Sequence, residues 1–468
     1  MLLIKLKCLH GDDGGKKSQV ITILTATVAF FICGLYIGWS GPTLRKILSD
    51  EYPFDVSEDE VSYIVIIGPI GDIVGGILST SIVDIIGRKW TILCLAIPQF
   101  LNFVTIYFSY YSVSLLYVGR FVGGIAEGAV IAIVPVYIAE VSEPEVRGLF
   151  GSFISTTFIL GKLVMNLLGS YIDIYNTALI CMIFSLLFVC SFIHMPESPY
   201  YLLMKQKESE AEASLKILRR KYDVKKELGM LSTDVQRQMS ESGTFMDLFK
   251  IKSNRKALLL VHGIYFFMQF TGITAYSMYL QILLEQGTNL SPILGSSLVI
   301  IGQLVSNTIA SLFVDKLGRK PLLIFSITTC CAILFSLATF YTLKDLNFDL
   351  SEVLWIPLLL IVLFILCFQS GLGILYNVFV GEIYSTSIKT KALFVGSISH
   401  SIFMITSTKF YQLTADRLGS AVPFYCFGCI SLLGVFFIIF KIPETKGKTL
   451  EQIQQELKGH KVTSSEKS

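Results

Sequence analysis

The stretch Val83-Asp84-Ile85-Ile86-Gly87-Arg88-Lys89 recurs in the second half of the chain as Val314-Asp315-Lys316-Leu317-Gly318-Arg319-Lys320. In each copy a glycine, which permits a tight turn between two helices, separates an aspartate from an arginine. A single copy of such a phrase is weak evidence for any fold. Its return in the second half indicates that the chain contains an internal duplication.

Two further charged markers follow each copy in the same order and at nearly constant spacing. In the first half, the first marker is Glu140 with Arg147 and the second is Pro196-Glu197-Ser198. In the second half, the first marker is Glu382 with Lys389 and the second is Pro443-Glu444-Thr445. Three markers repeated in one order predict two structurally equivalent halves.

The composition predicts a membrane protein, because the 468 residues are 53% hydrophobic and only 16% charged. A helix that spans the hydrocarbon core needs about 20 mostly apolar residues. We therefore expect an all-α membrane protein with twelve transmembrane helices in two six-helix repeats. The apolar runs lie at 19–40, 60–82, 90–110, 113–138, 149–170, 175–195, 257–284, 293–314, 321–342, 353–380, 392–413 and 422–441.

A charged segment separates the sixth run from the seventh and reads as short amphipathic helices. This segment divides the chain into two bundles, each of which contains one set of the repeated markers. The predicted parts are a cytoplasmic amino terminus at 1–18, a first bundle at 19–195, a helical linker at 196–256, a second bundle at 257–441 and a cytoplasmic tail at 442–468.

The positive charges predict the orientation of the chain. With the amino terminus inside, most of the 38 Lys and Arg fall in cytoplasmic segments. The outer loops hold only Arg45, Lys46, Lys344 and Arg417. Both termini and both repeated phrases are therefore expected on the cytoplasmic side, and the sequon at Asn289 on the outer side.

Two packed bundles suggest a transporter that alternates between two states around a central site. The repeated charges at the cytoplasmic helix ends suit a latch that closes in one state, since broken pairs there are rehydrated. An alternative is that these charges only orient the chain in the membrane. That would explain the Lys and Arg residues of the repeated markers, but not the acidic residues that recur with them. Because lysine cannot make the bidentate pair of an arginine, Lys389 predicts a weaker latch in the second half. This charge latch comprises Asp84, Arg88, Glu140, Arg147, Glu197, Asp315, Arg319, Glu382, Lys389 and Glu444.

Further motifs join the repeated phrase along the chain. Together they are Gly87-Arg88-Lys89, Gly119-Arg120-Phe121, Pro135-Val136-Tyr137-Ile138-Ala139-Glu140, Arg147-Gly148, Pro196-Glu197-Ser198-Pro199, Gly318-Arg319-Lys320 and Pro443-Glu444-Thr445-Lys446-Gly447. With these motifs the chain resembles, over essentially its whole length, the sugar porter family of the major facilitator superfamily, and within it most resembles insect facilitated trehalose transporters. The resemblance implies carrier-mediated movement of a sugar, trehalose or a hexose, across the plasma membrane. Family symporters typically carry an aspartate in the first helix, and the absence of a carboxylate from 34–40 favours downhill transport.

The resemblance also implies a substrate site, although several family residues are replaced here. Met268 stands where the family has a glutamine, and the glycines of the helix-ten hinge remain without its prolines and tryptophan. A sugar site needs groups that both donate and accept hydrogen bonds, and losing one amide costs about 1 kcal/mol per bond. The implied substrate-binding positions are Ser155, Met268, Gln269, Thr274, Gln303, Asn377 and His400, and the implied outer gate is Met278 and Tyr279.

Three charges inside the apolar runs depart from the family: Asp72, Glu127 and Lys162. A charge at membrane depth is costly and usually faces a partner or a cavity. One hypothesis pairs Lys162 with Asp72 or Glu127. A second lets Lys162 contact an anionic substrate.

The sequence is also compatible with other functions. The alternatives are a proton-coupled sugar or organic-anion carrier and a non-transporting sugar sensor. An enzyme is not expected, because the sequence shows no nucleophile–base constellation or phosphate-binding glycine loop. No cofactor and no metal site are expected, and nine of ten cysteines lie in apolar runs. The expected partners are a small-molecule sugar and the lipid bilayer, without nucleic acid, and a monomer is compatible with the sequence.

The two hypotheses for Lys162 predict different behaviour of the Lys162→Leu variant. If Lys162 pairs internally, its loss should leave the preference between neutral and acidic substrates unchanged. If Lys162 contacts an anionic substrate, the preference should shift toward neutral substrates. Uptake of both classes by the wild type and the variant distinguishes the two.

Overall fold

The structure is a computed structural model that describes residues 17–240, 243–288, 290–384, 388–446, 448 and 450–458. Its regular elements there are α-helices and two short 3-10 turns, since apolar segments can satisfy their backbone groups internally only as helices. The described side chains exclude those of 144–152, 238, 286–287, 311–317, 377–378, 380–381, 390, 450–451, 454 and 458.

The helices of the amino-terminal part follow the predicted apolar runs. Local signals set some of their ends: Ser57 and Glu60 form a capping box at the start of α3. These helices are α1 Lys17–Gly38, α2 Ser40–Ile47, α3 Glu58–Ile86, α4 Arg88–Cys94, α5 Ala96–Tyr107, α6 Ser114–Val141, α7 Pro144–Tyr171 and α8 Ile174–Phe192.

The linker and the carboxy-terminal part are also helical. The linker comprises α9 Pro199–Met204, α10 Glu208–Arg219, α11 Lys225–Ser240 and α12 Phe245–Lys250. The helices that follow are α13 Lys252–Gln269, α14 Ile273–Gly287, α15 Pro292–Leu317, α16 Arg319–Asp345, α17 Ile356–Ser370, α18 Leu372–Ile383, α19 Lys389–Leu418, α20 Val422–Lys441 and α21 Leu450–Lys458.

Among the described residues, eleven helical segments are long and apolar enough to cross a membrane. They correspond to eleven of the twelve predicted runs. The remaining run, 392–413, lies within α19, which has 30 residues and carries more polar side chains. At 1.5 Å per residue a helix of this length also exceeds the hydrocarbon thickness.

The chain divides into two compact units, one ending at Glu241 and the other beginning at Ser242. This division falls inside the predicted linker. In the amino-terminal unit the linker helices enclose a small core of their own, with Ala211 and Leu215 fully buried. Arg219 also ties α10 to α6, because its Nη1 donates to the Val141 carbonyl at 2.9 Å. The predicted domain boundaries themselves stay a prediction.

Two membrane-crossing segments of the carboxy-terminal unit are broken at glycines. Gly272 has a φ of +82° and separates α13 from α14. Gly371 separates α17 from α18, and a Cβ there would lie 2.4 Å from the Ser326 Cβ. Ser326 repairs this second break, since its hydroxyl donates to the Phe368 carbonyl at 3.3 Å and accepts from the Leu372 N–H at 3.2 Å. The retained hinge glycines therefore mark a real interruption of the helix.

Helices α3 and α6 of the amino-terminal unit touch backbone to backbone through glycine. A Cβ built on Gly75 would lie 2.0 Å from the Ile125 carbonyl oxygen, and one on Gly124 would lie 2.0 Å from the Gly68 carbonyl oxygen. Such close approach suits a membrane interior, where packing rather than the hydrophobic effect joins helices.

Two adjacent glycines of α3 test this contact. We expect Gly75→Ala to destabilise the protein by about 1–3 kcal/mol, because the new methyl group must push the helices apart. Gly76→Ala is the matched control, since a Cβ there meets nothing within 4 Å. Thermal melts of both variants in one detergent measure the difference. Equal melting temperatures for the two variants would show that the contact is not tight.

Candidate functional site

A polar cluster lies at the break between α13 and α14, in which Gln269 is buried and Thr274 and His400 are half-buried. Gln269 is the last residue of α13, and Thr274 lies in the first turn of α14. The Thr274 hydroxyl donates to Gln269 Oε1 at 2.7 Å, and Gln269 Nε2 lies 2.8 Å from His400 Nε2 on α19. The break thus brings three of the sequence-predicted substrate residues together.

The hydrogen bonds of this cluster define the state of the imidazole. Because Gln269 Oε1 accepts from Thr274, the amide Nε2 faces His400 as a donor. The His400 Nε2 must then accept, which places the ring proton on Nδ1 and leaves the ring neutral. The cluster therefore has two further donors, the imidazole Nδ1–H and the second N–H of the Gln269 amide.

Aromatic rings surround the cluster. The Tyr376 ring of α18 lies nearly parallel to the His400 ring at 6.5 Å between centroids, and the Tyr265 ring of α13 meets it edge-on at 5.5 Å. Met268 is buried beside them. Polar groups with an aromatic border are the usual composition of a sugar site, in which the ring face of the sugar packs on an aromatic side chain.

The structure places the other predicted substrate residues as follows. Gln303 lies on α15 and is half-buried, and Ser155 lies on α7 in the amino-terminal unit. The side chain of Asn377 lies outside the described part of the structure. The roles of all three stay predictions.

The predicted gate residues Met278 and Tyr279 are both buried on α14. Tyr279 has non-helical backbone angles and kinks α14, and its ring stacks on Tyr411 of α19 at 5.8 Å. The kink therefore lies beside an aromatic contact between α14 and α19. The gating role of the pair stays a prediction.

A buried amide pair was missed by the sequence reasoning. Gln369 Nε2 of α17 donates to Asn307 Oδ1 of α15 at 3.2 Å. Both residues lie in predicted apolar runs, and an amide at membrane depth could have signalled a polar partner on another helix. Gln369 also precedes the break at Gly371.

Residues of the first predicted latch meet around Arg88, which is buried. Their role as a latch stays a prediction. Arg88 Nη1 lies 2.9 Å from Asp84 Oδ1, and its Nε lies 3.1 Å from Glu140 Oε2. The same Glu140 oxygen accepts a hydrogen bond from the Ser198 hydroxyl. The guanidinium also lies 5.1 Å from the Tyr201 ring centroid, a contact that the sequence did not suggest. Arg147 has no described side chain.

The glutamate of each Pro-Glu motif binds backbone rather than an arginine side chain. Glu197 accepts from the Lys89 N–H at 3.0 and 3.1 Å, at the start of α4. In the same way Glu444 accepts from the N–H groups of Arg319 and Lys320 at 3.1 Å each, at the start of α16. A carboxylate here satisfies orphan donors and complements the helix dipole.

The second copy of the latch is similar but less complete. Arg319 Nη2 lies 2.9 Å from Glu382 Oε1. Glu382 Oε2 and the Thr445 hydroxyl are buried without a hydrogen-bond partner among the described residues, whereas their counterparts Glu140 and Ser198 are bonded. The side chain of Asp315 lies outside the described part, and Lys389 is half-buried at the start of α19. A weaker second latch stays a prediction, and this missing bond supports it.

The predicted intramembrane charges lie at helix crossings of the amino-terminal unit. Lys162 and Glu127 are buried on α7 and α6. Asp72 lies where α3 crosses α6, since a Cβ on Gly128 would lie 2.5 Å from its Oδ1. A Cβ on Gly38 of α1 would lie 2.9 Å from the Lys162 Cα. Pairing of Lys162 with either acid stays a prediction.

Arg120 is a further buried cation that the sequence reasoning did not place. Its Nη1 donates to the Tyr36 carbonyl at 2.8 Å, and the Tyr36 hydroxyl donates back to the Arg120 carbonyl at 2.6 Å. The guanidinium lies 4.0 Å from the Tyr36 ring centroid and 5.3 Å from that of Trp39. Aromatic faces thus contribute to holding this charge in the membrane interior.

Comparison with known proteins gives consistent matches over the chain. A family model described as Sugar (and other) transporter matches residues 19–457. The facilitated trehalose transporter Tret1 of Anopheles gambiae is 32% identical over 454 residues, which cover 94% of this chain and 56% of that protein. Tret1 of Polypedilum vanderplanki is 30% identical over 448 residues, covering 94% of this chain and 88% of that protein.

A solved structure gives the same result for the fold. The inward open conformation of the xylose transporter XylE from E. coli, a major facilitator superfamily protein, matches with a TM-score of 0.77 and 22% identity. The match covers 93% of this chain and 98% of XylE. At this identity the likeness establishes the fold alone, and it confirms the predicted all-α architecture.

The two capping glutamates should respond differently to neutralisation. Burial raises the pKa of Glu197 despite its N–H donors. Burial acts on Glu444 too, but the N–H groups of Lys446, Arg319 and Lys320 hold its pKa below the usual value. We therefore expect Glu444→Gln to lower the Tm by about 1–3 °C and Glu197→Gln to lower it less.

The difference in Tm loss between the Glu444→Gln and Glu197→Gln variants should depend on pH. Because the folded-state pKa of Glu444 lies below its unfolded value, the carboxylate stabilises the fold above about pH 4, and the contribution is lost as the pH falls through the folded pKa. Thermal melts of the wild type and both variants at pH 7 and near pH 3 measure it. A Glu444→Gln deficit that persists unchanged at low pH would contradict this account.

Proposed function

Because the chain belongs to the Sugar (and other) transporter family and has the major facilitator fold, we propose that it carries a sugar down its gradient across the plasma membrane by alternating access. Trehalose and hexoses are the proposed substrates. The observation that supports this most is the Thr274–Gln269–His400 cluster at the break of α13. A broken helix exposes polar groups at membrane depth only where they line a cavity or bind a partner.

The cluster suits a neutral polyol better than an ion. Its three side chains are neutral in the observed arrangement, and they offer both donors and acceptors. The nearby Tyr376 and Tyr265 rings supply apolar faces. In this proposal Gln269 is the central ligand, and Thr274 and His400 orient its amide group.

The charge latch is proposed to close the cytoplasmic side in one transport state. Arg88 and Arg319 lie at the starts of α4 and α16 and pair with Glu140 and Glu382 on other helices. Separation of such helix ends exchanges these pairs for water, so the cost of opening stays small. Both termini are placed in the cytoplasm, following the distribution of Lys and Arg.

Transport assays test the proposal directly. Purified protein in proteoliposomes should take up radiolabelled trehalose or glucose more readily than a hexuronate, and a pH gradient should not drive the uptake. Uptake that requires an inward proton gradient would favour a symporter. Binding of a sugar without uptake would favour a sensor and contradict the proposal.

The same assay tests the cluster. Thr274→Val removes the donor to Gln269 Oε1, so we expect KM to rise roughly two- to tenfold, as for one lost hydrogen bond. Thr406→Val is the matched control, because the Thr406 hydroxyl is exposed and donates to the Ile402 carbonyl of its own helix. Equal effects of the two variants would remove the cluster from the site.

A further inference from the structure

Four cations lie at the start of α13 and just before it: Lys250, Lys252, Arg255 and Lys256. All four side chains are exposed. Residues 252, 255, 256 and 259 share one face of the helix, since they follow the i, i+3, i+4 and i+7 spacing. The last of them is Leu259, which is 67% exposed.

Leu259 indicates what this face of α13 is suited to meet. It lies inside the segment Lys252–Glu285, which is long and apolar enough to cross a membrane, and an exposed leucine at that depth suits contact with lipid. The cations one and two turns before it on the same face therefore point toward the lipid headgroups. They do not face the protein interior.

The short helix α12 adds an apolar border to this surface. Leu248 is fully buried, whereas Phe245, Met246 and Phe249 are about half exposed. Aromatic and methionine side chains presented outward beside basic residues are typical of a segment that lies in the membrane interface. In water their exposure would cost roughly 25 cal/mol per Å² of apolar surface.

The position of α12 is held by specific contacts. Asn254 Nδ2 donates to the Asp247 carbonyl at 3.0 Å, and Lys391 Nζ of α19 donates to the Gly243 carbonyl at 2.5 Å. The Phe245 ring also meets the Phe394 ring edge-on at 5.9 Å. The surface is therefore built into the carboxy-terminal unit.

The net charge of the surface is positive. Between residues 243 and 259 the sequence contains one acid, Asp247. Its carboxylate accepts from the Thr244 N–H at 2.6 Å, and this bond lowers its pKa. Asp247 thus caps α12 and also interacts with Lys250, so it offsets part of the positive charge, and the surface stays cationic.

We propose that this surface, formed by Lys250, Lys252, Arg255, Lys256 and the exposed side chains of α12, binds the headgroup of an anionic phospholipid. The planar guanidinium of Arg255 can donate two parallel hydrogen bonds to a phosphate or carboxylate group, and the lysines add positive charge. Clusters of four or more cations beside a membrane helix typically attract anionic lipid. An acidic protein segment is a poorer fit, since the cationic face continues into lipid at Leu259.

Native mass spectrometry of the purified full-length protein tests this with phosphatidylserine and phosphatidylcholine added in equal amounts. The wild type should retain phosphatidylserine preferentially. The triple variant Lys252→Gln, Arg255→Gln, Lys256→Gln should lose this preference by about tenfold. The matched control is Lys221→Gln, Lys225→Gln, Lys226→Gln, which removes the same charge from exposed linker positions and should behave as the wild type.

The single variant Arg255→Gln tests the surface if the triple variant fails to fold, and it should reduce the preference by about threefold. Equal retention of the two lipids by the wild type would overturn the proposal. A preference that survives in the triple variant, or that is lost equally in the control, would also overturn it. Competition by soluble glycerophosphoserine at the same concentration as the lipid would instead indicate a site for free phosphate esters.

Discussion

The structure depends on one constraint, which is that backbone polar groups inside a membrane must be satisfied within the protein. Most of the chain meets it by forming uninterrupted helices. Where a helix is broken, a side chain replaces the lost bonds. Ser326 does so at Gly371, and the Thr271 hydroxyl donates to the Met268 carbonyl near Gly272. The candidate substrate residues Gln269 and Thr274 flank the break at Gly272, so the candidate site depends on the interruption of the helix there.

The same constraint explains the packing of the amino-terminal unit. Helices that cannot rely on the hydrophobic effect approach closely, and glycines such as Gly75 and Gly124 allow it. Buried charges then need local partners. Arg120 finds them in a carbonyl and in the faces of Tyr36 and Trp39.

The repeated charged phrase has two physical functions in each half. Its arginine pairs with a glutamate on another helix, and its backbone N–H groups are capped by the glutamate of the Pro-Glu motif. The glycine of the phrase allows both. Gly87 has a φ of +101°, and a Cβ there would lie 2.4 Å from Glu197 Oε2. The two halves share this design. Among the described side chains, Ser198 donates to Glu140, whereas the Thr445 hydroxyl has no hydrogen-bond partner.

Hydropathy, duplication and motif order in the sequence by themselves determined the helical membrane fold, its two halves and the family. These features are local or periodic, so they can be read without knowing which helices touch. Only the tertiary structure decided which polar groups meet. The Gln269–His400 bond joins residues on α13 and α19, and the Asn307–Gln369 pair joins α15 and α17. The rotation of one helix about its axis against another decides such contacts, and that rotation follows from packing, which no single stretch of sequence encodes.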